Sequence, residues 1–260
     1  MSALLAAHGM RKAYHGVTAL DGVSIEVAPA SITGVIGPNG SGKSTLFDCI
    51  TGFQARDAGT VRFDGRDIGQ LAPQRIARLG LRRTFQQLRV FPELTVRENL
   101  LVAAQSAPGF SYFSEILRTP AVRAHEAAAR ERAAGIIAEV RLDKVADDYA
   151  AGLSYGQKKL MELGMALMTE PRLLMLDEPM AGVNPTLVGG LKVELLRVRE
   201  RGIALLIVEH NLKLVFEICE TIYVLDQGRL LAVGKPAEIA RDERVLQAYL
   251  GTRHAEAALD

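Results

Sequence analysis

Neither sign of charge dominates this sequence: 31 Lys and Arg stand against 30 Asp and Glu in 260 residues. A chain so balanced has no net basic field with which to hold nucleic acid or an anionic membrane surface nonspecifically, so no nucleic-acid partner is expected. Cysteine is scarce as well. Cys49 and Cys219 are the two present, and both fall in stretches that read as amphipathic helices, where a free thiol behaves as a small buried hydrophobe. A disulfide is not expected, which suits a reducing compartment. Long apolar runs are also missing. The longest strongly apolar run, Ile203 to Val208, is far below a bilayer span, and Met1 to Leu5 is too short for a signal segment and lacks a basic flank. The chain is therefore expected in the cytoplasm and unable to form a pore itself. It shows no internal repeat and no low-complexity tract.

What remains is an ordinary globular composition, 48% hydrophobic and 23% charged, with enough apolar material for one large core or two closely joined subdomains. Short, almost uninterrupted apolar runs recur at Gly34–Ile36, Leu173–Leu176, Ile203–Val208 and Ile222–Leu225. Such runs predict strands buried on both faces. Between the second and third lies a predicted helix that Asn184 caps, Pro185 opens and Gly202 closes, with Leu187, Leu191, Leu195 and Val198 as its apolar stripe. The strand–helix–strand order implies a parallel α/β sheet, whose ligands gather at the carboxyl ends of the strands. Two other stretches, Val17–Val27 and Gly59–Ile68, alternate and carry the turn pairs Asp21-Gly22 and Asp64-Gly65, which predicts a small antiparallel sheet. From Val96 to Glu170 the pattern is largely helical, broken at Pro108-Gly109 and Thr119-Pro120.

Gly37-Pro38-Asn39-Gly40-Ser41-Gly42-Lys43-Ser44, followed by Thr45, comes after a buried run and opens a predicted helix. Glycines allow successive backbone N–H groups to turn inward around phosphate oxygens, and the positive end of the following helix adds to the attraction. Lys43 reaches the β- and γ-phosphates as a point charge, and the Ser44 hydroxyl is a candidate Mg²⁺ ligand. Asp177-Glu178 directly follows the Leu173–Leu176 run. There, Asp177 is placed to hold hydrated magnesium, and Glu178 to take a proton from the water that attacks the γ-phosphate.

Leu153-Ser154-Tyr155-Gly156-Gln157 opens a further predicted helix. Locally, Ser154 and Gln157 have the spacing of a capping box. The same geometry, a helix N-terminus with a hydroxyl and a glycine that permits close approach, is also an anion site. Here the sequence resembles the ATP-binding cassettes of ABC transporters. Leu153–Gln157 resembles their signature, Gln86 their Q-loop glutamine, His210 their switch histidine and Tyr14 the aromatic residue that stacks on adenine. These motifs occur in the family's order, from about Leu5 to Gly251.

The resemblance implies an α/β P-loop (RecA-like) core with a small antiparallel β subdomain and an inserted α-helical signature subdomain. The expected boundaries within one cassette of 1–260 are 1–86 with 171–235 for the core, 87–170 for the helical insert and 236–260 for a C-terminal helical extension. It also implies binding and hydrolysis of ATP with Mg²⁺. Glu178, His210 and Gln86 are then catalytic, and Ser44, Gln86 and Asp177 face the metal. Tyr14, the loop from Gly37 to Thr45, and Ser154, Gly156 and Gln157 contact nucleotide. In that family two protomers sandwich two nucleotides head to tail, so Ser154 and Gly156 act on the partner's ATP. The implied partners are a second ABC ATPase subunit, identical or similar, membrane-spanning permease subunits at the cytoplasmic membrane face, and, indirectly, an extracytoplasmic substrate-binding protein.

Met180-Ala181-Gly182-Val183-Asn184 departs from the family's Ser-Ala-Leu-Asp loop, since Asn184 hydrogen-bonds without charge. It resembles the branched-chain amino acid importers, as do Phe91–Val96, Leu117–Pro120 and Ala248–Gly251. Urea, amides, other amino acids or lipopolysaccharide are the alternative cargoes. A nontransport ABC ATPase is disfavoured by the lack of a long coiled coil or second cassette, and a dead regulator by intact Lys43, Asp177, Glu178 and His210. The aromatic cluster Phe110, Tyr112 and Phe113 is expected either to pack within the insert or to receive a helix of the membrane subunit.

Overall fold

In a computed structural model, which describes residues 3–84, 90–104, 119–182 and 185–250, the apolar runs become strands. In chain order these are β1 (Leu5–Tyr14), β2 (Val17–Val27), β3 (Ile32–Ile36), β4 (Ala58–Phe63), β5 (Arg66–Asp67), β6 (Leu81–Arg83), β7 (Leu173–Asp177), β8 (Ala204–Val208), β9 (Thr221–Asp226) and β10 (Arg229–Gly234). The described chain falls into two compact units: one takes Met1–Arg83, Arg172–Ala181 and Leu195–Asp260, the other Thr84–Pro171 and Gly182–Glu194.

The first unit holds both sheets. Its larger sheet has the order β10-β9-β3-β8-β7-β6, parallel except for the terminal β10–β9 pair. Every residue of β3, β7 and β8 is buried, as their unbroken apolar sequences require. Removing one such Leu, Ile or Val side chain from water stabilises the fold by about 1.5–3 kcal/mol. The register matters for function. Asp177 pairs with Val208, and Val208 with Val35, so β7, β8 and β3 end on one row. Whatever follows those strands is thereby gathered at one edge.

The smaller sheet, β2-β1-β4-β5, is antiparallel. Asp64-Gly65 makes its two-residue turn, both at positive φ (52° and 72°), the geometry that matches hairpin twist. Asp21-Gly22 does not form a turn. It stays inside β2, where Met10 pairs with Val23 and Arg11 with Asp21, leaving Gly22 (φ 76°) as a bulge. The strand before it, β1, carried no clear alternation in sequence and pairs with both β2 and β4.

The second unit is helical. Thr119 caps the helix Pro120–Glu139 by accepting from the Val122 amide, so the Thr119-Pro120 break is a helix start. Asn99, fully buried in the helix Val96–Ala104, accepts from the Phe91 amide at 2.8 Å and donates to the Phe91, Leu94 and Thr95 carbonyls. The buried side-chain amide of Asn99 is thereby satisfied by the backbone of the loop it holds. A methyl on Gly164 would meet Ile136 at 3.3 Å, so glycine lets the Tyr155–Leu167 helix approach closely. The predicted helix after β7 runs Pro185–Glu200 and buries Leu191, Leu195 and Val198; Asn184 and the Leu187 side chain lie outside the described residues.

Candidate active site

The segment between β3 and the helix α1 (Lys43–Ile50) is shaped by what it lacks. A Cβ on Gly37 (φ 152°) would lie 2.1 Å from the Leu225 carbonyl, and one on Gly42 (φ 101°) 2.4 Å from the Ala19 carbonyl. Both obstacles are backbone, so only glycine lets the loop close this tightly. Lys43 is buried. Its Nζ donates to the Gly37 and Pro38 carbonyls at 2.8 Å each and approaches the Ser41 hydroxyl at 3.4 Å. Burial pushes the ammonium pKa down, and the nearby Glu178 and Asp177 charges oppose that shift.

Lys43 forms one wall of an open cavity of about 190 Å³, together with Asn39 to Thr45, Ala19, Glu178 and His210. Asn39, Gly40, Ser41, Gly42, Ser44 and Thr45, read from sequence as phosphate contacts, thus share one concave surface, with Gly37 and Pro38 behind it at Lys43.

Glu178 and His210 enter the same lining from the segments that follow β7 and β8. Asp177 ends β7 and is buried; its Oδ2 accepts from Arg83 Nη2 at 2.9 Å, while the other terminal nitrogen of Arg83 pairs with Asp48. Glu178 follows with φ 49°, a conformation uncommon outside glycine, and its amide donates to the Val208 carbonyl at 2.9 Å. This bond prolongs the β7–β8 ladder and turns the Glu178 side chain into the cavity. There, Oε1 lies 3.0 Å from His210 Nε2.

The donor set suits magnesium. Ser44 and Asp177 offer hard oxygens, and among the described residues no cluster of three or more His, Cys, Asp or Glu is placed to hold a metal. Mg²⁺ takes one or two protein oxygens and keeps water and phosphate for the rest, which matches what Ser44 and Asp177 can supply.

The other sequence candidates fall elsewhere. Tyr14 ends β1, more than a third exposed, with Lys12 Nζ 5.2 Å from its ring centre, and it does not line the cavity. Ser154, Gly156 and Gln157 belong to the second unit, where Ser154 Oγ accepts from the Gln157 amide at 3.3 Å and Gln157 Oε1 accepts from the Ser154 amide at 2.9 Å. That is the predicted capping box. Gln86 and the cluster Phe110, Tyr112 and Phe113 lie outside the described residues. Sequence reasoning missed Ala19, Arg83 and Glu209. Arg83 and Glu209 belong to none of the sequence motifs above, and Ala19 lies in a strand whose side-chain pattern carries no sign of the cavity.

The sequence profile of the family described as ABC transporter matches residues 20–181, well over half of the chain and all of these motifs but Tyr14 and His210. The chain belongs to the ABC transporter family. A second profile, described as branched-chain amino acid ATP-binding cassette transporter, matches residues 229–255. The cassette is 41% identical over 249 residues to the high-affinity branched-chain amino acid transport ATP-binding protein BraF of Pseudomonas aeruginosa, covering 95% of this chain and 98% of that one. It is 39% identical over 249 residues to the corresponding LivG of Escherichia coli K12, with the same coverage. A solved ATP-binding cassette in its ADP conformation superposes with a TM-score of 0.84 at 37% identity, covering 96% of this chain and all of the other. A nucleotide-free cassette superposes at 0.82 with 36% identity, covering 95% and 99%. This cassette is thus an ABC ATPase of the α/β P-loop fold and a homologue of branched-chain amino acid transport ATP-binding subunits.

Proposed function

We propose that this cassette hydrolyses MgATP at the Lys43 cavity to drive import of branched-chain amino acids through separate membrane subunits. The observation that carries the chemistry is the Glu178–His210 pair, held at 3.0 Å in the lining of the cavity that the Lys43 loop also forms. Lys43 and the loop amides bind the β- and γ-phosphates. Glu178 takes the proton of a water aligned with the γ-phosphate, and His210, hydrogen-bonded to Glu178, reports whether that phosphate is present. Mg²⁺ held by Ser44 and Asp177, with Gln86 as a further candidate ligand, would neutralise charge that builds on the phosphate oxygens. Tyr14 stacks on the base. Ser154, Gly156 and Gln157 serve the nucleotide of a second cassette, identical or similar, with the helical 87–170 segment as its carrier and 236–260 as a C-terminal extension.

Among the described residues no helix is long and apolar enough to cross a membrane, so passage of cargo is assigned to permease subunits, with this chain peripheral on the cytoplasmic face. An extracytoplasmic binding protein selects the cargo. The cargo itself rests on the BraF and LivG likeness and on the profile match at residues 229–255. Copurification of the tagged chain with its membrane subunits, followed by uptake assays in ATP-loaded vesicles, tests this reading. ATP-dependent leucine uptake that disappears with Lys43→Ala is expected. ATPase activity coupled to urea or another cargo, with no leucine uptake, would overturn the substrate.

A further inference from the structure

Glu209, immediately before His210, is 3% exposed. A buried carboxylate with no function would be costly, because an apolar side chain fills the same volume without a desolvation penalty. Burial raises its pKa, the negative Glu178 nearby adds to that rise, and three backbone amides oppose it. Those amides come from two different loops. Oε1 accepts from the Met180 amide at 2.7 Å, in the loop after β7. Oε2 accepts from the amides of His210 at 3.1 Å and Asn211 at 3.3 Å, in the loop after β8. One side chain therefore ties the segment that follows Glu178 to the segment that carries His210.

We propose that Glu209 is a positioning residue for hydrolysis, a carboxylate clasp that fixes the two loops in one frame and so sets the 3.0 Å Glu178–His210 contact. The residue type fits this task closely. All three partners are donors, and a carboxylate is the side chain that presents acceptors at both terminal atoms and no donor. The β7–β8 ladder ends at Asp177–Val208, and the Glu178 amide adds one bond to the Val208 carbonyl beyond it. Past that point the Glu209 clasp is the cross-link between the two loops that holds Met180. Misplacement of a reacting group by about 1 Å costs up to roughly 100-fold in rate, so a clasp at this position governs turnover more than nucleotide binding.

This inference rests on Glu178 and His210 being the hydrolytic pair. The test is a cycle of variants in the full-length chain, read as kcat and KM for ATP alongside the melting temperature. Glu209→Gln replaces one acceptor by an NH₂ group that faces a backbone N–H, so one arm of the clasp opens while shape is kept. The expected result is a kcat lowered about 10- to 100-fold with KM and melting temperature nearly unchanged. In a His210→Ala background the same substitution is expected to cost less than about twofold, because the contact it positions is already gone. Wild-type kcat in Glu209→Gln, or an undiminished loss in the His210→Ala background, overturns the clasp. Should Glu209→Gln fail to fold, Glu209→Asp serves in the same cycle: it keeps the charge but is one methylene too short to span both loops. Wild-type turnover in His210→Ala and in Glu178→Gln would instead sink the assignment of the pair, a result separable from failure of the clasp.

Discussion

His210 Nε2 lies 3.0 Å from Glu178 Oε1 although the residues are 32 apart in sequence. The pair exists because β8 lies beside β7 in register, Asp177 opposite Val208, so that Glu178, one residue past β7, meets His210, two residues past β8. Glu178→Gln removes the charge and the proton acceptor but keeps the shape. Its turnover is expected to fall roughly 10²–10⁴-fold with ATP affinity retained, and ATP should then hold the paired cassettes closed. Steady-state ATPase assays and size-exclusion chromatography with ATP check this; near-normal hydrolysis would remove Glu178 from its assigned role.

The two readings of Ser154 also separate. Its capping box is present, and Asn caps a helix about as well as Ser, so Ser154→Asn should leave the melting temperature within a few degrees. If Ser154 also faces a partner's γ-phosphate, the longer amide obstructs closure and ATPase activity drops at least tenfold, about 1.4 kcal/mol in transition-state binding. Full activity in that variant would confine Ser154 to the cap.

Glycines of the loop are not equivalent. A Cβ at Gly42 collides with the Ala19 carbonyl at 2.4 Å, whereas one at Gly40 (φ 79°) meets nothing within 4 Å. Gly40→Ala therefore costs only backbone strain, about 1 kcal/mol. Gly42→Ala must also displace β2 or the loop, and should lower both the melting temperature and ATP affinity further. Calorimetry of the two variants with and without nucleotide measures the difference, and equal losses would contradict the packing described.

Burial raises the Cys49 thiol pKa to about 11 and that of Cys219 to about 12, from an ordinary 9.0. At pH 8 a two-unit rise lowers the thiolate fraction about 100-fold. Iodoacetamide should accordingly label the native chain at least that much more slowly than the denatured one. The folded thiols keep protons that the unfolded chain releases, so this contribution to stability is full below pH 9 and is lost as pH rises through 11 to 12. Fast native labelling at pH 8 would show that the thiols are exposed.

The sequence by itself determined what is local. The phosphate loop needs closely spaced glycines, a lysine and a hydroxyl, and all of these residues lie between Gly37 and Thr45. The buried strands were legible because a strand covered on both faces must be apolar throughout, and the Ser154–Gln157 box because both partners lie within one helical turn. Asp21-Gly22 misled because a bulge and a turn both use a glycine at positive φ, and only the pairing of Met10 with Val23 distinguishes them. Tertiary structure decided the rest. Arg83 bridging Asp48 and Asp177, Ala19 against Gly42, and Glu209 between Met180 and His210 all depend on which strand neighbours which. Parallel neighbours are joined by long crossovers, so their partners are far apart in sequence and no local pattern can encode the contact.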